Sequence, residues 1–313
     1  MHKNYVFLIV ALLVTNVAAL DTVVLQTEAK PLVASSEQDF MDPCWSPDGT
    51  KLAFTTARYQ GIWTSDADGS NIVVVTDDPT SGFGFSWAPD SKSILARVAK
   101  FQNRRRYNAI KVFELTTKSE KLLCDFKTGS MGLPSWSGET GQVQYEFNKK
   151  IMKIDTGLKT AIQGRSLTQG TEKMYLENSK QKRMEQINPR PGKTCLNSVL
   201  SPDQKKLAFE ELGGNMFVLD LQTKELTDLG VGYSPQWSPD SRHLVYMISK
   251  DDGHLLTESE IYISSVDGTV KYQLTDTNDK IELNPAWSPD GKNIAFDEDG
   301  VIYMISNMDE LIK

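Results

Sequence analysis

Histidine is almost missing from this chain: His2, His243 and His254 are the only three in 313 residues. Two histidines downstream of the first few residues do not supply the ligands of a multi-histidine metal centre. His243 opens a predicted strand where neighbouring repeats carry Ser, Lys or Asn, which reads as a solvated turn position. His254 lies in the acidic stretch Lys250–Glu260, without a second histidine beside it. Cysteine is equally sparse. Cys44, Cys124 and Cys195 are odd in number and widely spaced, so they form no disulfide framework and read as small buried apolar residues. No Gly-x-Ser-x-Gly nucleophile elbow occurs. Nor is there an excess of positive charge: 34 Lys and Arg face 41 Asp and Glu, a net of −7, which argues against general nucleic-acid binding. Asp66-Ala-Asp68-Gly-Ser-Asn71 hints at a calcium loop but misses the alternating-ligand spacing and reads as a hairpin turn. On these grounds no catalytic residue, cofactor or metal ligand is assigned.

Long apolar runs are also lacking. The longest, Tyr5–Val14, is well short of the ~20 residues that span a bilayer. With the basic start Met1-His-Lys-Asn and the small residues Val17-Ala18-Ala19, it predicts a signal peptide over 1–19, cleaved after Ala19. The expectation is export to the periplasm or the cell exterior, with membrane contact only through an uncleaved leader. Loss of Lys3 with the leader takes the charge from −7 to −8.

What is present is a repeat. Asp42-Pro-Cys-Trp-Ser-Pro-Asp-Gly49 returns as Asn284-Pro-Ala-Trp-Ser-Pro-Asp-Gly291 and, closely, as Ser234-Pro-Gln-Trp-Ser-Pro-Asp-Ser241. Weaker copies centre on Trp87, Trp136 and Leu200. The anchors at 45, 87, 136, 200, 237 and 287 are separated by 42, 49, 64, 37 and 50 residues. Steps of roughly 40–50 residues match a four-stranded propeller blade. After each anchor come short apolar runs, such as Lys51–Phe54 then Gly61–Trp63, or Asn293–Phe296 then Gly300–Met304, bounded by Gly, Pro, Asp and Ser. No sustained helical period appears. The fold class expected is all-β: six blades over residues 20–313, with an insertion at about 165–195 that can form an extra hairpin from Met174–Glu177 and Arg183–Ile187.

Ser-Pro-Asp-Gly builds the turn between two strands: Pro presets φ, Asp bonds back to the local backbone, and Gly takes a positive φ. The preceding Trp buries a large ring between neighbouring blades. Both therefore read as structural. The chain runs out at Asn307–Lys313 with little room for a last outer strand. Lys30-Pro-Leu-Val33 stands where Lys271-Tyr-Gln-Leu-Thr275 stands in the preceding repeat, so residues of about 22–34 are expected to close the ring beside Val301–Met304. Pro31 suits an outermost strand.

The pattern Trp-Ser-Pro-Asp-Gly…Ile-Ala-Phe…Ile-Tyr…Asp-x-x-Gly…Leu-Thr resembles the TolB-type, WD-repeat-like β-propeller family of bacterial envelope proteins, over about residues 30–307. The first repeat follows the leader so closely that the N-terminal α/β domain of full-length TolB is not expected. The resemblance implies a rigid scaffold and leaves function open, since such blades also occur in oligogalacturonate lyases, whose activity depends on a His-rich metal site.

Propeller topology sends the second-to-third loops and the blade-to-blade connections to one face. Phe101, Arg104, Arg105, Arg106 and Tyr107 fall in such a loop. Lys182 and Arg183 fall in the 165–195 segment. Together they are the expected partner-binding residues, because guanidinium groups suit carboxylates and phosphates and the rings add contact surface. The expected function is a monomeric, exported, non-enzymatic module that binds a protein or an anionic envelope polymer. A polysaccharide lyase or hydrolase with a site in the central channel is the alternative.

Overall fold

The computed structural model describes residues 14–16, 22–160, 162, 164–170, 173–181, 183–277 and 280–312. They form seven sheets, antiparallel but for one short parallel strand at the outer edge of two of them, with strands following one another from the centre of a ring outward. Blade one comprises Phe40–Trp45, Lys51–Thr56, Gln60–Asp66 and Val73–Thr76. Blade two comprises Ser86–Trp87, Ser93–Gln102, Arg105–Glu114 and Ser119–Lys127. Blade three has Ser135–Trp136, Gln142–Phe147 and Lys150–Asp155. Blade four has Arg165–Gln169, Met174–Asn178 and Arg183–Ile187. Blade five follows with Cys195–Leu200, Lys206–Glu211, Met216–Asp220 and Leu226–Asp228. Blade six has Tyr233–Trp237, His243–Asp251, Leu256–Ser265 and Lys271–Gln273. Blade seven has Leu283–Trp287, Asn293–Glu298 and Val301–Ser306.

Seven blades correct the six expected from the repeat. The residues read as an insertion are blade four, and the hairpin Met174–Asn178 with Arg183–Ile187 forms its outer two strands. The motif count fails for a physical reason. Ser-Pro-Asp-Gly marks only the turn leaving an innermost strand. In blade four the innermost strand runs the other way: Thr168 bonds Ser135 (2.6 Å), while Arg165, at the strand's opposite end, reaches the blade-five turn at Gln204. Blade three in turn lacks an outer strand among the described residues. Blades three and four thus share six strands where two ordinary blades would have eight, and the motif that would announce the fourth blade has no turn to occupy.

The ring closes through its termini. Ala29–Val33 pairs antiparallel with Val301–Ser306, placing Lys30 opposite Met304 and Pro31 opposite Tyr303. This is the outer-edge position expected for that segment. Val23–Val24 runs parallel beside Lys271–Gln273, and the backbone of Val14–Asn16 beside Leu226–Asp228. The expected cleavage site at Val17–Ala19 lies outside the described residues. The chain turns into a short helix at Met308–Leu311, whose Met308 is buried between blades six and seven.

Second strands such as Lys51–Thr56 and Lys206–Glu211 are buried on both faces, because each blade is sandwiched between two others. Trp45, Trp87, Trp136 and Trp237 are buried at these interfaces. Their indole nitrogens follow a rule. Trp45 donates to the Ala286 carbonyl (3.2 Å), Trp87 to Cys44 (3.1 Å) and Trp237 to Val199 (3.0 Å). Each acceptor immediately precedes the anchor position of the previous blade. Trp287 instead bonds Gly291 of its own turn, and the indole N–H of buried Trp136 meets no acceptor among the described residues.

A second staple crosses the same interfaces from the second strand. Asp297 accepts from Asn284 of its own blade (3.0 Å) and from the Asp42 backbone N–H of blade one (2.8 Å). Glu210 repeats this with Asn197 (2.8 Å) and the Ser234 N–H (2.9 Å). Asp42, Asn197, Ser234 and Asn284 all hold φ between 45° and 57°, a left-handed bulge that Asn tolerates well. Burial, reinforced by the Asp297 charge, pushes Asp42 up to about 7; burial pushes Asp297 up to about 6 against its hydrogen bonds.

Two outcomes follow from this packing. Trp237→Ala should cost about 3–5 kcal/mol in urea unfolding, and Trp237→Phe, which keeps most of the burial, roughly 1 kcal/mol for the lost hydrogen bond. The carboxyl pair bears on pH dependence. Its folded pKa values exceed those of an unfolded chain, so the native state binds more protons, and stability should fall as pH rises from about 4 to about 7. Asp42→Asn, which installs the residue found at positions 197 and 284, should flatten that fall and gain about 1–2 kcal/mol at pH 8. An unchanged pH profile would show that the pair does not titrate there.

Candidate functional site

The ring has two unlike faces. One carries the Ser-Pro-Asp turns, each tied by the same bonds: Ser46 to Asp48 (2.7 Å), Ser201 to Asp203 (2.6 Å), Ser238 to Asp240 (2.6 Å) and Ser288 to Asp290 (2.6 Å). Neighbouring turns are also linked, Asp48 N–H to Ser91 and Asp203 N–H to Ser241, both at 3.0 Å. The opposite face carries the second-to-third hairpins and the connections between blades, and is here called the hairpin face.

Arg104 lies at the tip of the blade-two hairpin, with Asn103 and Arg104 at φ 52° and 60°, the left-handed pair of a tight two-residue turn. Ten-residue strands on either side lift the tip above the ring. Phe101 is 63 % exposed, and Arg104 and Arg105 are exposed with no carboxylate against them among the described residues. Arg106 is held by Asn108 (2.8 Å) and Thr80 (3.2 Å). Tyr107 is half-buried, with the Lys100 ammonium 5.9 Å from its ring centre.

Arg183 is elsewhere. It pairs with Asn178 at the end of blade four nearest the Ser137–Gly138 turn, on the face of the Ser-Pro-Asp turns, and its guanidinium stands 3.6 Å from Glu185. Lys182 lies outside the described residues. Arg190 and Lys193, from the connection into blade five, are on the hairpin face but each is paired with Glu211 at 2.9 Å. The structure therefore brings Phe101 and Arg104–Tyr107 together and separates them from Arg183.

Residues not singled out from sequence complete the hairpin face. Arg97, in the second strand of blade two, donates to the Met131 carbonyl at the start of blade three. Its guanidinium lies 5.8 Å from the ring centre of Phe83, which is 43 % exposed and edge-packed against Tyr59 at 5.0 Å. Burial, then the nearby Arg106 charge, lowers Arg97 to about 10. On blades six and seven the same face turns acidic. Thr277 bonds both Glu260 and Glu282, and Lys280 pairs with Glu298 (2.6 Å). Burial, despite the Thr277 bond and helped by Glu260 and Glu298, raises Glu282 to about 7. A position signal was available: Thr55, Arg97, Glu146, Glu210, Met247 and Asp297 each occupy the same place in a second strand, and a charge there points at the next blade.

His243 packs near Trp287 (6.5 Å between ring centres) at the turn end of blade six, while His254 sits at that blade's hairpin tip, so the two do not meet. Asp66–Asn71 is a hairpin turn in which Asn71 and Lys51 bond Asp66 and Ser70 bonds Asp68. Among the described residues, no group of three or more His, Cys, Asp or Glu could hold a metal ion, and no helix is long and apolar enough to cross a membrane. Two open cavities lie away from the arginines. One of about 560 Å³ adjoins Gln60, Trp63, Asp77 and Glu120, and one of about 390 Å³ lies between the turns of blades one and seven.

Comparison with known proteins agrees with the architecture. Residues 183–304 match the TolB beta propeller domain model. A "Protein TolB homolog" of Chlorobium chlorochromatii (strain CaD3) is 32 % identical over 108 residues, covering 33 % of this chain and 23 % of that protein. The crystal structure of TolB from Acinetobacter baumannii superposes with a TM-score of 0.56 at 19 % identity, over 82 % of this chain and 58 % of its own. An oligogalacturonate lyase in complex with manganese reaches a TM-score of 0.48 at 15 % identity, covering 87 % of this chain and 78 % of that one; nothing about activity follows from a likeness of that size. The chain spans about a quarter of the curated relative's length and somewhat over half of the Acinetobacter protein's. Over the residues that match, and in the architecture of the ring, this chain carries a TolB-like β-propeller.

Proposed function

We propose that this propeller is an exported binding module without catalytic activity, and that its hairpin face holds a protein or an anionic envelope polymer. The observation that carries the reading is the blade-two hairpin. Arg104 and Arg105 stand exposed at the tip of two ten-residue strands with no carboxylate against them among the described residues, on a chain of net charge −7. Clustered arginine beside an exposed aromatic such as Phe101 is the composition that interface hot spots favour. Export is supported by the leader-like sequence of residues 1–19, and binding by the TolB-like scaffold, whose elaborate loops gather on one face.

Arg104→Ser/Arg105→Ser is the informative variant, because neither side chain supports the fold. Its unfolding free energy should stay within about 0.5 kcal/mol of wild type. Capture of partners from an envelope extract by the immobilised protein should drop, most at low salt where exposed charges act over the longest range. Undiminished capture by this variant at low ionic strength would remove the hairpin from the binding surface. Turnover of a uronate polymer by the purified protein would favour the lyase reading instead.

A further inference from the structure

Arg97 is an unusual residue for the inside of a blade. Its Nε–H is buried without an acceptor among the described residues, and one terminal nitrogen donates to the Met131 carbonyl. No carboxylate lies against it among the described residues. Burial lowers its pKa first, and the Arg106 charge adds to that. Arg106 is itself held by neutral partners, Asn108 and Thr80. Two guanidinium groups of blade two thus both turn to the 80–83 connection, half-buried Arg97 over Phe83 and exposed Arg106 on Thr80, and no carboxylate pairs with either among the described residues. Such an arrangement costs stability, since a buried charge needs a partner and like charges repel. Every other charged residue at this second-strand position, Glu146, Glu210 and Asp297, is an acid; Glu210 and Asp297 each accept two hydrogen bonds.

We propose that Arg97 and Arg106 form a carboxylate-binding site on the hairpin face, bounded by Phe83 and Thr80, which receives an acidic side chain of a protein partner. The site rests on the binding-module reading and gives that partner a chemistry. Two guanidinium groups present paired N–H donors in the planar geometry a carboxylate accepts, and a bound anion relieves their mutual repulsion. The surroundings favour a peptide over an acidic sugar. The ring of Phe83 already has the Arg97 guanidinium over it and Tyr59 at its edge, so it is not free to stack on a sugar. Its exposed part, together with exposed Phe101, offers instead an apolar border for the side chains flanking an acidic residue.

The test uses the full chain and measures binding of an acetylated tetra-glutamate peptide at low salt, with tetra-glutamine and tetragalacturonate as comparison ligands. Tetra-glutamate should bind saturably, tetra-glutamine should not, and Arg97→Gln should weaken the tetra-glutamate interaction at least tenfold while the melting temperature holds or rises. A purely structural Arg97 would give the opposite pattern, a lower melting temperature with binding unchanged, and would overturn the proposal. If Arg97→Gln does not fold, Arg106→Gln addresses the same site from the surface and should show the same loss. Tighter Arg97-dependent binding of tetragalacturonate than of tetra-glutamate would overturn the choice of a peptide. Envelope capture that depends on Arg104 and Arg105 but survives Arg97→Gln would leave the module reading standing and sink this site.

Discussion

Everything in this molecule depends on how one blade grips the next. A propeller has no central core; its stability is the sum of interfaces between neighbouring sheets, and each must be buried and oriented by itself. Here a large indole buries area between two blades while its N–H donates to the carbonyl just before the anchor position of the previous blade, as Trp45, Trp87 and Trp237 do. The apolar part supplies most of the free energy, and the hydrogen bond fixes the rotation of one sheet against the other. Carboxylates at Asp297 and Glu210 add a polar staple further along the same seam. With the seams fixed, loops on the hairpin face can vary without disturbing the ring.

The seam between blades three and four is built differently. Six apolar clusters join the other neighbouring pairs among the described residues. Between blades three and four the contacts are instead polar: Ser135 with Thr168, and buried Glu177 with Ser137, the Gly138 N–H and Lys153, while Ser166 of its own blade donates to the same carboxylate. Burial opposes the charge on Glu177, but these donors outweigh it and keep its carboxyl below its usual range. Glu146 fills the space that a side chain at Gly170 would need, so blade four approaches closely there too. Reversing the innermost strand of blade four turns different side chains toward blade three, and hydrogen bonds do what Trp does elsewhere.

The hairpin face is electrically divided. Blade two carries Arg97, Arg104, Arg105 and Arg106, while blades six and seven carry Glu260, Glu282 and Glu298. A net charge of −7 conceals this arrangement. A partner approaching the face therefore meets a field with direction, which favours one orientation of a charged ligand over its reverse.

Local chemistry was legible without a structure. Ser-Pro-Asp-Gly dictates a turn wherever it occurs, alternating apolar runs dictate strands, and Pro31 before an apolar pair pointed to the outer strand that closes the ring. These features depend on a few consecutive residues, so their meaning travels with the sequence. The number of blades did not, because blade four lacks the turn that carries the motif. The grouping of candidate site residues did not either. Arg104 and Arg183 both read as loop cations, yet the reversed strand sends Arg183 to the opposite face. Nothing in the sequence singled out Arg97, and only the approach of blade three and of the connection bearing Phe83 showed it turned, like Arg106, to the 80–83 connection without a paired carboxylate among the described residues. Which residues lie next in the chain is a property of sequence; which blade faces which, and in what direction its strands run, is decided when the ring closes.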